Sequence, residues 1–99
     1  MVNKRKLQPL DAENVAIQAL AFLAADPERL GRFLATTGLG PGEIRAAARE
    51  RSFLAGVLDH IADDESAMLA FAQDAGLPPE LIARARAALS GPPVERDIP

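Results

Sequence analysis

The run "DHIADDE", residues 59 to 65, holds the densest set of groups able to do chemistry. Asp59, His60, Asp63, Asp64 and Glu65 fall within about two turns of a helix. His60 and Asp64 stand four apart, the spacing at which an imidazole and a carboxylate on one face can share a cation while a second carboxylate orients the ring. A metal centre needs a third and fourth ligand, and the Glu-x-x-His motif by which two-helix carboxylate sites supply them is missing. The competing reading is a solvated acidic helix end in which Asp64 caps the next helix. Nucleophilic hydrolysis meets the same deficit, because no Ser or Thr has a nearby base apart from His60, the single imidazole, and the chain has no Cys. The expectation is therefore no catalytic residue, no bound metal, no cofactor and no enzymatic activity.

A second candidate is "AFAQDAGLPPELIARARAAL". Here Ala72, Gly76, Leu77 and Ile82 keep the relative spacing of helix-turn-helix DNA readers, and Arg84 and Arg86 would lie on the reading helix of a segment spanning residues 68–89. The same residues have a plainer use: Gly76 closes one helix, Pro79 opens the next, and Ile82 joins the core. Two basic residues, with no Asn or Gln on that helix to read an adenine edge, are a thin basis for base recognition. The "KRK" run adds Lys4, Arg5 and Lys6, which could meet phosphate or serve solubility alone. A nucleic-acid reading would thus rest on Arg84, Arg86, Lys4, Arg5 and Lys6. A further basic group, Arg45, Arg49 and Arg51 beside Glu50, is opposite in sign to "DHIADDE", and pairing between the two patches, within one chain or between chains, is expected to orient surfaces more than to stabilise them.

The elements that must carry these groups follow from composition and punctuation. Ninety-nine residues suffice for one core. Apolar residues make up 48% of the chain, but twenty are Ala and four are aromatic, so the core must be thin, built by close approach of helices, and helix is favoured over sheet. A net charge of −3 argues against blanketing phosphates, and the lack of Cys suits a reducing cytoplasm. "MVNKRK" followed by "VAIQALAFLAA" has the outline of a signal peptide, but Pro9, Asp11, Glu13 and Asn14 interrupt it. The apolar run is also far short of the ~20 residues a membrane span needs. A soluble, cytoplasmic protein without membrane contact is expected.

Six helical segments can be read. Asp11 caps a first helix through about Ala25; Asp26 with Pro27 opens a second, closed by Gly38, after which Leu39 folds back. Pro41 and Glu43 start a third, "GEIRAAARE", and Ser52 caps a fourth, "FLAGVLDHIAD". Asp64 with Glu65 begins a fifth that ends at Gly76, and Pro78-Pro79 lead into the sixth, "ELIARARAAL". Shifting the chain against itself by 38 residues aligns Leu20, Ala24, Asp26, Phe33, Gly38 and Leu39 with Leu58, Ala62, Asp64, Phe71, Gly76 and Leu77. Caps and core positions repeat together, and Phe22 opposite His60 marks where the copies diverge. The expected core is Leu20, Leu23, Leu30, Phe33, Leu39, Leu54, Val57, Leu58, Ile61, Phe71, Leu77 and Ile82.

"AIQALAFLAADPERLGRFLATTGL", "SFLAGVLDHIADDE" and "FAQDAGLPPELIARARAAL" together resemble a family of small bacterial helical proteins catalogued as a domain of unknown function, over about residues 12–90. The resemblance implies an all-helical, single-domain bacterial protein and brings no activity or site residues. The expected fold is all-α, a bundle of five or six short helices, either as one bundle or as two similar three-helix units sharing a core. Residues 1–10 are expected to form a flexible arm, 11–90 the domain and 91–99 a flexible tail. The function expected is protein–protein interaction, with nucleic-acid binding as the alternative.

Overall fold

A computed structural model describes residues 9–90, with side chains from Asp11 onward. Its elements are α1 (Pro9–Ala24), α2 (Pro27–Thr37), a 3₁₀ turn (Pro41–Glu43) running into α3 (Ile44–Ala47), α4 (Arg51–Ala62), α5 (Glu65–Ala75) and α6 (Pro79–Ser90). The expected all-α bundle is what the chain adopts. Pro9 and Leu10 of the expected arm form the start of α1; the remainder of the arm, and the tail, lie outside the described residues.

Helices α1, α4 and α6 pack on one another, with α2 against α1 and α5 against α4. The spaces between them are filled by Ala12, Ala16, Ala19, Ala55, Ala72 and Ala85 as much as by large side chains. Small residues at these crossings let the helix axes approach closely. Leu23, Phe33, Leu54, Val57, Leu58, Ile61, Phe71 and Ile82 are buried as expected, and Leu20 and Leu77 pack half-buried against them. Leu30 and Leu39 are only half-buried.

Two hairpins carry nearly the same local geometry. Asp26 (φ −121°, ψ 107°) accepts from the amides of Glu28 and Arg29, and Asp64 (φ −119°, ψ 105°) accepts from those of Ser66 and Ala67. Both hairpin turns close with an amide bond three residues back, Asp26 to the Leu23 carbonyl and Asp64 to that of Ile61. Gly38 (φ 78°) and Gly76 (φ 69°) take the left-handed conformation that glycine alone enters without a Cβ penalty. Ala24 and Ala62, Pro27 and Glu65, Thr37 and Ala75, and Pro41 and Pro79 bound their elements at the same offset of 38 residues.

Three expected caps differ. Asp11 lies in the first turn of α1 rather than at its cap, because Pro9, whose fixed φ suits a first helical position, starts the helix earlier. Ser52 lies inside α4, whose cap is Glu50 without a side-chain bond. The third helix breaks early: Gly40 donates its amide to Glu43 Oε1 at 2.8 Å, a 3₁₀ turn follows, and α3 ends at Ala47. Leu39 does not fold back as Leu77 does, since its amide goes to Thr37 Oγ1 (3.3 Å), whereas that of Leu77 reaches the Ala72 carbonyl (2.9 Å) and closes a Schellman turn.

Candidate interaction site

Each hairpin sends a phenylalanine from its second helix to the first helix of the other. Phe71 of α5 meets Phe22 of α1 with ring centroids 5.5 Å apart, and Phe33 of α2 meets His60 of α4 at 5.1 Å, edge to face. Phe22 and His60 stand 38 residues apart, as do Phe33 and Phe71, so the two contacts are counterparts in tertiary structure and not merely in sequence. Phe33 also touches Phe53, at 5.8 Å.

One cleft opens over the Phe22–Phe71 contact, and a second opens beside His60. The first, about 670 Å³, has Phe22 and Phe71 at its floor, Ala21, Ala25 and Ala75 on its walls, and Gln18, Asp26, Arg29 and Asp74 around it. Arg29 holds its guanidinium 5.2 Å from the Phe22 ring centroid while its Nε pairs with Asp26 at 3.3 Å. Cation–π contact and ion pair together fix one charged edge of the recess. The second cleft, about 140 Å³, is lined by His60, Asp63, Asp64, Arg32 and the shared Arg29. At the 38-residue offset its His60, Asp63 and Arg32 stand at the places of Phe22, Ala25 and Ala70, while Gln18, Arg29 and Asp74 of the first cleft stand at the places of Gly56, Ala67 and Thr36, so the charged groups sit at different positions on the same frame.

The acidic run is divided among structural tasks. Asp64 Oδ1 caps α5 through Ser66 (3.0 Å) and Ala67 (3.3 Å), while the His60 ring packs edge-on to Phe33. Among the described residues no group of three or more His, Asp or Glu side chains is placed to hold a metal ion. Asp59 receives the Nε hydrogen of Arg86 from α6; that hydrogen bond, and then the charge of Asp59, raise the Arg86 guanidinium above its ordinary range. Arg45 and Arg49 are exposed, and Arg51 turns its Nη2 to the Ala88 carbonyl (2.6 Å) at the end of α6, with its Nε buried and without a partner among the described residues. Within the chain, the pairing of this basic group with the acidic run is not formed among the described residues: α6, not α3, lies beside Asp59.

Arg84 and Arg86 do not make one basic stripe. Two residues apart on a helix they point about 200° from each other, and with Ile82, Ala85 and Leu89 buried they fall on opposite flanks of α6. Lys4, Arg5 and Lys6 lie outside the described residues. Sequence reasoning did not single out Phe22, Phe71 and Arg29 as a site. Its available signal was the mismatch of Phe22 against His60, an aromatic in the place where the other half is polar.

Among the described residues no helix is long and apolar enough to cross a membrane. A family model described as "Protein of unknown function (DUF3572)" matches residues 9–92. No curated protein and no solved structure matches the chain.

Proposed function

The chain belongs to the DUF3572 family, and within it we propose a non-catalytic module that binds another protein in the cleft floored by Phe22 and Phe71. The observation that carries this reading is the cleft's make-up: a half-buried Phe22 ring backed by the buried Phe71, alanines beside it, and a charged edge already organised by the Arg29–Asp26 pair. Aromatic floors with polar surrounds are where protein interfaces concentrate their binding energy. The same reading includes a bacterial source, as the resemblance implies, and a cytoplasmic location, for which the lack of Cys is the support. It also includes descent of the two halves from one three-helix unit, supported by the shared offset of caps, glycines and aromatic contacts.

Site-specific photocrosslinking tests the reading. A photoreactive residue at Gln18 should give a discrete protein adduct that forms again from purified components and is lost in Ala21→Arg, while the same group at Arg45 should not. Equal adducts from both positions, or none from Gln18, would overturn it. The nucleic-acid alternative has less support, because Arg86 is engaged by Asp59 and Arg84 faces elsewhere. Duplex binding that weakens steeply with salt, selects sequence and is lost in an Arg84→Ala, Arg86→Ala double variant would replace the proposal.

A further inference from the structure

The halves part company after their glycine turns. Pro79 opens α6, which runs to Ser90 and packs against both α1 and α4. Pro41 opens the counterpart, and Ile44 and Ala47 stand at the positions of Ile82 and Ala85, but helix α3 stops there and the place of Leu89 falls to Arg51, already in α4. On α4 the hold of α6 is traced by Arg51, which bonds the Ala88 carbonyl, and by Asp59, which pairs with Arg86. Ala55 lies between them on the same face and is 8% exposed. The counterparts on α1 are Glu13, Ile17 and Ala21. Ile17 is 47% exposed, Ala21 is exposed as well, and Ala21 continues the strip into the Phe22–Phe71 cleft.

We propose that this strip of α1 receives an amphipathic helix of another protein, lying on α1 as α6 lies on α4; this rests on the reading of the adjoining cleft as a protein-binding site. The molecule itself supplies the template for the occupant, a stripe of aliphatic and small residues spaced like Ile82, Ala85 and Leu89. The changed residues supply its differences from α6. Where Asp59 holds Arg86, Ala21 asks for a small apolar contact. Where Arg51 bonds the Ala88 carbonyl of α6, Glu13 presents a carboxylate. A helix ending there is repelled at its negative pole unless its last turn brings Lys or Arg. The occupant is thus an apolar-striped helix with a basic C-terminal turn.

The probe is a lactam-bridged synthetic helix of about fourteen residues, bridged because so short a helix is marginal alone. It carries the Ile/Ala/Leu stripe and two Lys in its last turn. Titrated into the full-length ¹⁵N-labelled protein, it should bind with a Kd at or below about 1 mM and shift the amides of Ile17, Ala21 and Phe22. Ala21→Arg, at an exposed position that leaves the fold and its thermal melt unchanged, should weaken binding at least about tenfold. Glu13→Lys should weaken the Lys-ended probe by about two- to fivefold and spare one ending in Glu. No saturable binding, or binding that Ala21→Arg leaves intact, overturns the inference. So does a concentration-dependent dimer of the wild-type chain, seen by sedimentation and abolished by Ala21→Arg, which would give the strip to a second copy. A crosslinked partner that docks at Gln18 without a helix would sink this inference and leave the module reading standing, whereas loss of the Gln18 adduct would sink both.

Discussion

The Phe22–Phe71 junction and the His60–Phe33 junction are built on one frame and finished differently. Cap dihedrals agree within two degrees, the glycine turns fall at the same offset, and the ring centroids lie 5.5 and 5.1 Å apart. Yet the cleft over Phe22 and Phe71 is wide, about 670 Å³, whereas the one beside His60 is about 140 Å³ and carries His60, Asp63 and Arg32 at the places of Phe22, Ala25 and Ala70. The frame is held by backbone closures and buried phenylalanines, which tolerate little change. The side chains around it are exposed enough to vary, and there the two halves differ.

The deepest test of the shared frame is removal of the two phenylalanines. Both are 1% exposed, so Phe33→Ala and Phe71→Ala should each cost about 3–5 kcal/mol in urea or thermal unfolding, much of a small domain's stability. The two losses should agree within about 1 kcal/mol, given the scatter of such sites. A loss below about 1 kcal/mol at either would remove that ring from the core and end the equivalence.

Next come the glycines. No atom lies within 4 Å of a Cβ built at Gly38 or Gly76, so substitution meets open space and only the positive φ resists it. Gly38→Ala and Gly76→Ala should each destabilise by about 1–2 kcal/mol through backbone strain. Gly31 separates strain from the mere addition of a methyl group. It sits exposed inside α2, with equal space around it and ordinary helical dihedrals. Gly31→Ala should stabilise by about 0.5–1 kcal/mol. The same sign at all three glycines would break the turn argument.

The Asp caps should follow at about 1 kcal/mol for each Asp→Ala change, with Asn at either position retaining most of that. Asp26 also anchors Arg29 over Phe22, so Asp26→Ala should disturb the first cleft as well as α2, whereas Asp64→Ala should affect α5 stability alone. Amide shifts at Phe22 compared between the two variants read that difference. Equal shifts in both would deny Arg29 its part in the cleft.

How much of this was legible beforehand depends on the range of the interaction. Asp26, Pro27 and Gly38, like Asp64 and Gly76, act within four residues, so their roles could be read directly from the letters. Asp11 and Ser52 failed as caps because a neighbouring Pro9 and a turn at Ala48–Glu50 moved the helix starts, a competition that cap chemistry alone does not rank. The buried alanines were anticipated as a class but not individually, since nothing local distinguishes Ala16 from Ala21. Arg86 on Asp59 and Arg51 on Ala88 join residues 27 and 37 apart. They depend on where α6 lies, which no periodicity states.

The Arg86–Asp59 pair should give the smallest effect, and it bears most directly on why one half has a third helix in place. Both side chains are about half exposed, so a double-mutant cycle with Arg86→Ala and Asp59→Ala should return a coupling of less than about 1 kcal/mol that shrinks in high salt. Arg86 is raised above its ordinary range by its hydrogen bond and charge contact with Asp59. A group raised in the folded state lends its stability below its unfolded pKa and loses it only as pH climbs through the folded value. For an arginine that lies beyond any pH at which this chain would be studied, so the Arg86 contribution should stay flat through neutrality. At the matching place on α1 stands Ala21, which can form no such pair, and installing Ala21→Asp should leave stability unchanged because Arg29, which lines the cleft with Ala21, is already paired with Asp26. If Ala21→Asp instead stabilised the protein with a salt-dependent gain, a cation would already cover that strip, and the contrast between a filled face on α4 and an open one on α1 would fail.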